Sequence, residues 1–210
     1  MLDGALAESR GLHGRSAVTI GSVASGKVSR RHDLDARYFG EGLAVAGDRL
    51  LQLTWRSGRA FLYDRKLHPL GEYRYTGEGW GLAYDGNNWL MSDGSGRLQR
   101  RAAEDFSPTG ELRITDHGRP VTQLNELEYA RGRIYANVWH TDRVAVIDAS
   151  SGAVESWIDF AALRAGFVKP EGWDEAEHVL NGIAWDPSRG HFYVTGKCWP
   201  LLYEVRLLAP

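Results

Sequence analysis

A short unit recurs five times along the 210-residue chain: a tight turn followed by a strand rich in apolar residues. It reads GRSAVTI at 14–20, GRAFLYD at 58–64, GRLQRRA at 96–102, DRVAVID at 142–148 and PLLYEVR at 200–206. Successive units begin roughly 40–60 residues apart, the length of one β-propeller blade. The widest interval holds an insertion, DFAALRAGFVKPEGWDEAEH at 159–178, which predicts a short helix and a loop.

The surroundings of each unit are consistent. One strand precedes it (LLQLTW, NWLMSDG, IYANVW, FYVTGK), and another usually follows (GKVSRRHDL, LGEYRY, GELRITD, AVESWID). Ahead of the four preceding strands lies a short apolar one: EGLAVAG, WGLAYDG, NELEYAR and NGIAWDP. Long helical periodicity is almost absent, while Gly, Asp, Asn and Pro bound nearly every apolar run. The chain is therefore predicted to be all-β, a five-bladed β-propeller forming one domain over 1–210. Five units meet only four innermost strands, because MLDGALAES already reads as a second strand. The first innermost strand is expected to be missing at the N-terminus.

Composition narrows the function. A net charge of −2 gives no reason to expect nucleic acid or an anionic membrane as partner. Cys198 is the one cysteine, which rules out an internal disulfide and a cysteine-based metal cluster. No apolar run is long enough to span a membrane. No signal peptide is visible, so export is expected if a leader precedes this start and a cytoplasmic location otherwise. Lysine is scarce, at Lys27, Lys66, Lys169 and Lys197 alone.

Aligning the repeats places Glu41, Trp80, Asn125 and Asn181 at the first position of the innermost strands. The next strand runs antiparallel, so its last residue is expected beside that position. Counting equally far from Glu41 and Asn125 reaches Trp55 and Trp139; from Asn181, past a longer turn, it reaches Lys197. From Trp80 it reaches Gly94, which would leave room for the indole. Innermost strands line the central channel, so these seven side chains are predicted at one mouth: an acid, an ammonium, two amides and three indoles.

Each has a structural alternative. Strand-end amides satisfy turns, tryptophans pack cores, and Lys197 could reach solvent. Equivalent slots filled by different residue types argue for a site, since a structural repeat would reuse one type. Trp89, Trp157, Trp173, Trp185 and Trp199 fall outside this register and are expected to pack. The seven histidines show no metal-ligand spacing. GEGWG at 77–81 opens a strand rather than a helix and is not a nucleotide loop.

YFGEGL…QLTW, GEGWGLAYDG, LNELEY…IYANVWHTDR, VESWID and VLNGIAWDP…FYVTGKCWP resemble the plant and bacterial type of glutaminyl-peptide cyclotransferase, over roughly residues 4–207. The resemblance implies a five-bladed propeller that converts N-terminal glutamine to pyroglutamate with loss of ammonia. It implies Glu41 as proton shuttle, Trp55, Trp80 and Trp139 as pocket walls, and a place in the pocket for Asn125 and Lys197, which suit the stabilising of an oxyanion on the substrate's side-chain oxygen. Asn181 rests on the repeat count alone. The chain lacks the FTQGL-like segment of family members and carries Gln123, His140 and Arg10 where arginine, glutamine and threonine are common.

The implied partner is a peptide or protein with N-terminal Gln, handled by a monomer without metal or cofactor. Two other readings stay open. One is a calcium-dependent propeller lactonase using Glu41, Asn125 and Asn181 as oxygen ligands, against which Lys197 argues. The other is a non-enzymatic propeller that binds peptide in its aromatic cup.

Overall fold

The computed structural model describes residues 1–207. Five antiparallel sheets follow one another in chain order. The first holds β1 (Ala5–Arg10), β2 (Ala17–Ser22) and β3 (Val28–Asp33). The second holds β4 (Gly40–Ala46), β5 (Arg49–Thr54), β6 (Arg59–Asp64) and β7 (Pro69–Arg74). β8 (Leu82–Tyr84), β9 (Asn88–Met91), β10 (Arg97–Ala102) and β11 (Pro108–Arg113) build the third. After a two-stranded hairpin, β12 (Thr115–Asp116) and β13 (Arg119–Pro120), comes the fourth: β14 (Leu124–Ala130), β15 (Arg133–Val138), β16 (Arg143–Asp148) and β17 (Val154–Asp159). One helical turn, α1 (Ala161–Ala165), precedes the fifth, with β18 (Leu180–Asp186), β19 (His191–Gly196) and β20 (Tyr203–Val205).

This is a five-bladed propeller. Within each blade the strands lie in sequence order, and β2 takes in the first sheet the place that β6, β10 and β16 take in theirs. β4, β8, β14 and β18 stand side by side around the channel.

Burial follows the layering. The outer strands β3, β7, β11 and β17 are mostly exposed, whereas β5 is buried from Leu50 to Thr54 and β15 from Ile134 to Asn137. A second strand has a neighbouring blade on each face, so both alternating sets of side chains are buried, Gln52, Thr54 and Asn137 among them. On β5, Leu50 packs with Val18, Ile20 and Tyr63 toward the first blade. Leu51 and Leu53 pack with Leu82, Trp89 and Met91 toward the third. The fifth and first sheets meet around a cavity of about 440 Å³ lined by Gly4, Ser22, Arg189, Tyr193 and Glu204.

Two expectations on strand limits are corrected. GELRITD is not one strand: β11 ends at Arg113, Ile114 turns into the core, and Thr115–Asp116 pair with Arg119–Pro120. Trp80 does not begin β8, which starts at Leu82, while Glu41, Asn125 and Asn181 are each the second residue of their strand.

Candidate active site

The strands that feed the channel mouth share one irregularity. In the second sheet Gly40 pairs with Thr54 but Leu43 with Gln52, so one extra residue bulges out between them. The fourth sheet repeats this between Leu124 and Leu127, and the fifth between Leu180 and Ile183. In the third, Trp80 N–H donates to the Ser92 carbonyl and Ser92 N–H to that of Gly81, both at 3.0 Å. Each candidate from an innermost strand, Glu41, Trp80, Asn125 or Asn181, thus sits where the ladder is broken. A bulge kinks the strand and re-aims its side chains.

The bulges change the predicted neighbours. Equal counting puts Trp55 beside Glu41, Trp139 beside Asn125 and Lys197 beside Asn181. Instead, the N–H of Trp55 donates to the Phe39 carbonyl (2.9 Å), that of Trp139 to Gln123 (2.8 Å) and that of Lys197 to Val179 (2.9 Å). All three partners lie two residues earlier than counted, so the slots remain equivalent. The second strand overshoots the bulge and lifts its last side chain above the acid or amide.

Hydrogen bonds tie the bulges of adjacent blades into a belt. Gly42 N–H donates to the Trp80 carbonyl at 2.7 Å. The Ser92 hydroxyl donates to the Asn125 carbonyl at 2.6 Å and accepts from Gly81 N–H at 2.7 Å. Glu126 N–H donates to Asn181 Oδ1 at 3.4 Å, and Ile183 N–H to Glu126 Oε2 at 3.2 Å. Gly81 is obligatory here, since a Cβ on it would lie 2.0 Å from the Asn125 carbonyl oxygen.

Above the belt stand the aromatics. Trp80 meets Trp139 edge-on, with ring centroids 5.3 Å apart. The Trp80 ring lies across Gly94, where an added Cβ would come within 2.6 Å, so the glycine reached by counting does leave room for the indole. Trp55 packs against Phe39 at 5.8 Å, and Lys197 Nζ lies 5.8 Å from the Trp139 ring centre.

Charge is concentrated at this mouth. Burial pushes the Glu41 carboxyl up to about 7; the Lys197 ammonium opposes the shift and the Glu78 carboxylate adds to it. No group among the described residues donates a hydrogen bond to Glu41. Asn125 is 4% exposed, and its Oδ1 is buried without a partner, as is Trp139 Nε1. Buried polar atoms without a partner are uncommon, and two of them fall in this cluster. Asn181 differs, its Oδ1 being engaged at the blade seam.

Sequence reasoning missed Glu78. Its Oε2 accepts the indole N–H of both Trp55 (2.7 Å) and Trp80 (2.9 Å), and its Oε1 accepts Arg56 Nε at 2.8 Å. The hydrogen bond from Trp80 is foremost in holding its carboxyl below the usual range. A signal was present: Gly77-Glu78-Gly79 repeats the pattern of Gly40-Glu41-Gly42. Among the described residues no group of three or more His, Cys, Asp or Glu is placed to hold a metal ion.

A sequence profile of the glutamine cyclotransferase family matches residues 1–207. The chain is 40% identical over 206 residues to a glutaminyl-peptide cyclotransferase of Arabidopsis thaliana, covering 96% of this chain and 63% of that protein. It thus spans less than two thirds of that relative's length. The crystal structure of Myxococcus xanthus glutaminyl cyclase superposes with a TM-score of 0.87 at 38% identity, covering 97% of this chain and 86% of that one. A hydrazine synthase of Kuenenia stuttgartiensis shares the fold alone, with a TM-score of 0.50 at 15% identity over 86% of this chain and 49% of that one.

Proposed function

The chain belongs to the glutamine cyclotransferase family, and we propose that it cyclises the N-terminal glutamine of peptides or proteins to pyroglutamate, releasing ammonia. The observation that carries this reading is Glu41, half-buried and without a hydrogen-bond donor, within reach of the charge of Lys197, which itself lies by the ring of Trp139 where that indole meets Trp80.

The reaction is an intramolecular aminolysis. The substrate's α-amine attacks its own side-chain amide carbon; a carbon–nitrogen bond forms, closing a five-membered ring. The bond to the amide nitrogen then breaks and ammonia leaves. Attack within one molecule needs orientation more than a strong nucleophile, and the indole walls provide it. Glu41, as carboxylate, takes the proton from the attacking nitrogen and returns it to the leaving one, so one group serves as base and then acid. A carboxyl that titrates near 7 suits both transfers at neutral pH.

Lys197 stabilises negative charge on the side-chain oxygen as the tetrahedral intermediate forms. Asn125, the other polar side chain of that cluster, assists at the same oxygen through its Nδ2 amide. Indole walls exclude water, whose attack would give glutamate instead.

The test is ammonia release with matching mass loss from a Gln-initiated peptide, alongside the same peptide initiated by Asn and a parallel reaction in EDTA. Turnover confined to the glutamine peptide and indifferent to chelator supports the reading. Binding without ammonia release would make the propeller a peptide receptor, and activity abolished by EDTA would point to a metal-dependent hydrolase.

A further inference from the structure

We propose that Glu78 is a positioning residue for this cyclisation, the one carboxylate that sets the planes of Trp55 and Trp80 around the first residue of the substrate; the proposal rests on the function given above. The two indoles come from different blades, Trp55 from the end of β5 and Trp80 from the approach to β8, yet both N–H groups converge on one oxygen, at 2.7 and 2.9 Å. The torsion that turns an indole about its Cβ–Cγ bond has broad wells. A wall facing an open mouth therefore needs a fixed acceptor to hold its plane. The third wall, Trp139, has no such tie, since its Nε1 is buried and unpartnered. Glu78 pins two walls, and the third is held by packing against Trp80 and His140.

The backbone around Glu78 is built for this convergence. Gly77 has φ of +86°, which a residue with a Cβ rarely adopts. A Cβ at Gly79 would lie 2.5 Å from the Tyr75 hydroxyl, which itself donates to the Thr54 carbonyl. Gly79 N–H donates to the Trp55 carbonyl at 2.9 Å. The chain beside Glu78 is thus fastened to the very residue whose ring it orients. Its remaining partner, Arg56, stacks over Trp55 with the guanidinium 3.9 Å from the ring centre and is largely exposed.

The competing explanation is a surface ion pair with Arg56, and pairs of that kind contribute little. The experiment compares Glu78→Ala, Glu78→Gln and Arg56→Ala with wild type, measuring kcat/KM for one Gln-initiated peptide across pH. Glu78→Ala is expected to lose about tenfold to a hundredfold, the usual consequence of misplaced substrate walls, and Arg56→Ala less than about fivefold. Glu78→Gln keeps an oxygen for the indoles and should recover most of the loss at the optimum. It also removes a negative charge near Glu41, so the acid limb should move to lower pH. The substrate's amine titrates alike in every variant, so any displacement of that limb belongs to the enzyme.

Equal losses in Glu78→Ala and Arg56→Ala, or a Glu78→Ala variant within fivefold of wild type, would overturn the proposal. If wild type releases no ammonia at all, the cyclase reading fails instead. The positioning claim is then read from near-ultraviolet circular dichroism: Glu78→Ala should flatten the tryptophan bands and Arg56→Ala should not. Unchanged bands in Glu78→Ala would sink it.

Discussion

Glu41 and the pair Glu126–Glu128 project from two strands that line the same channel, and burial raises the pKa of all three, yet their hydrogen bonding is opposite. Glu126 Oε2 accepts Ile183 N–H at 3.2 Å and Glu128 Oε2 accepts Trp185 N–H at 3.0 Å, both across the seam between the fourth and fifth blades. Innermost strands expose an edge to the channel, and its N–H groups must find acceptors. The pair supplies them. Glu41 receives no such donor and faces Lys197 and Glu78 instead. Burial alone therefore does not separate the two kinds of acid; the saturation of their oxygens does.

The sharpest break of that comparison is Glu41→Gln. The amide keeps size and shape but carries no proton between nitrogens, so turnover should fall by about 10³-fold or more. Thermal stability should hold or rise, since a buried acid without a partner is removed. Wild-type rates in this variant would place the proton shuttle elsewhere. Lys197→Ala comes next, with a loss of about 10²–10³-fold falling mainly on kcat. A change in KM alone would reassign Lys197 to anchoring the substrate.

The contrast between the two kinds of acid was only half legible in the sequence. Blade spacing, the apolar second strands and the slots of Glu41, Asn125, Asn181, Trp55, Trp139 and Lys197 follow from repetition, because like turns and like alternation recur at each unit. The bulges carry no compositional mark beyond Gly42 and Gly182, so the counted partners missed the observed ones by two residues. Glu78 lies in a connection, where periodicity says nothing. The acceptor role of Glu126 depends on which blade stands beside it, a contact spanning 57 residues that no local pattern encodes.

Glu126→Ala tests the structural side. It strands the Ile183 N–H at the seam, which should cost about 1–3 kcal/mol in a denaturant titration. Activity per folded molecule should stay within a few fold, because the Glu126 carboxylate is engaged at the seam by the Ile183 N–H. A loss of kcat without loss of stability would move Glu126 into the chemistry and erase the distinction.

The smallest expected effect is the pH dependence of stability, and its sign follows from the direction of the shifts. The folded pKa values of Glu41, Glu126 and Glu128 lie above the unfolded value near 4.5, so the folded state holds its protons more tightly. Their contribution is fully present below that value and is lost as pH rises through the folded pKa, about 7 for Glu41. Asp148, Asp64 and Asp186 are shifted down by hydrogen bonds and act in reverse, losing their contribution as pH falls below the ordinary carboxylate range. Stability should therefore peak near pH 5 and decline toward pH 8, with Glu41 contributing to the fall. Glu41→Gln should flatten that slope between pH 5 and 7 while leaving the acid-side decline untouched. A wild-type midpoint that climbs steadily from pH 5 to 8 would mean that Glu41 is ionised throughout, and that the channel is wetter around it than its burial implies.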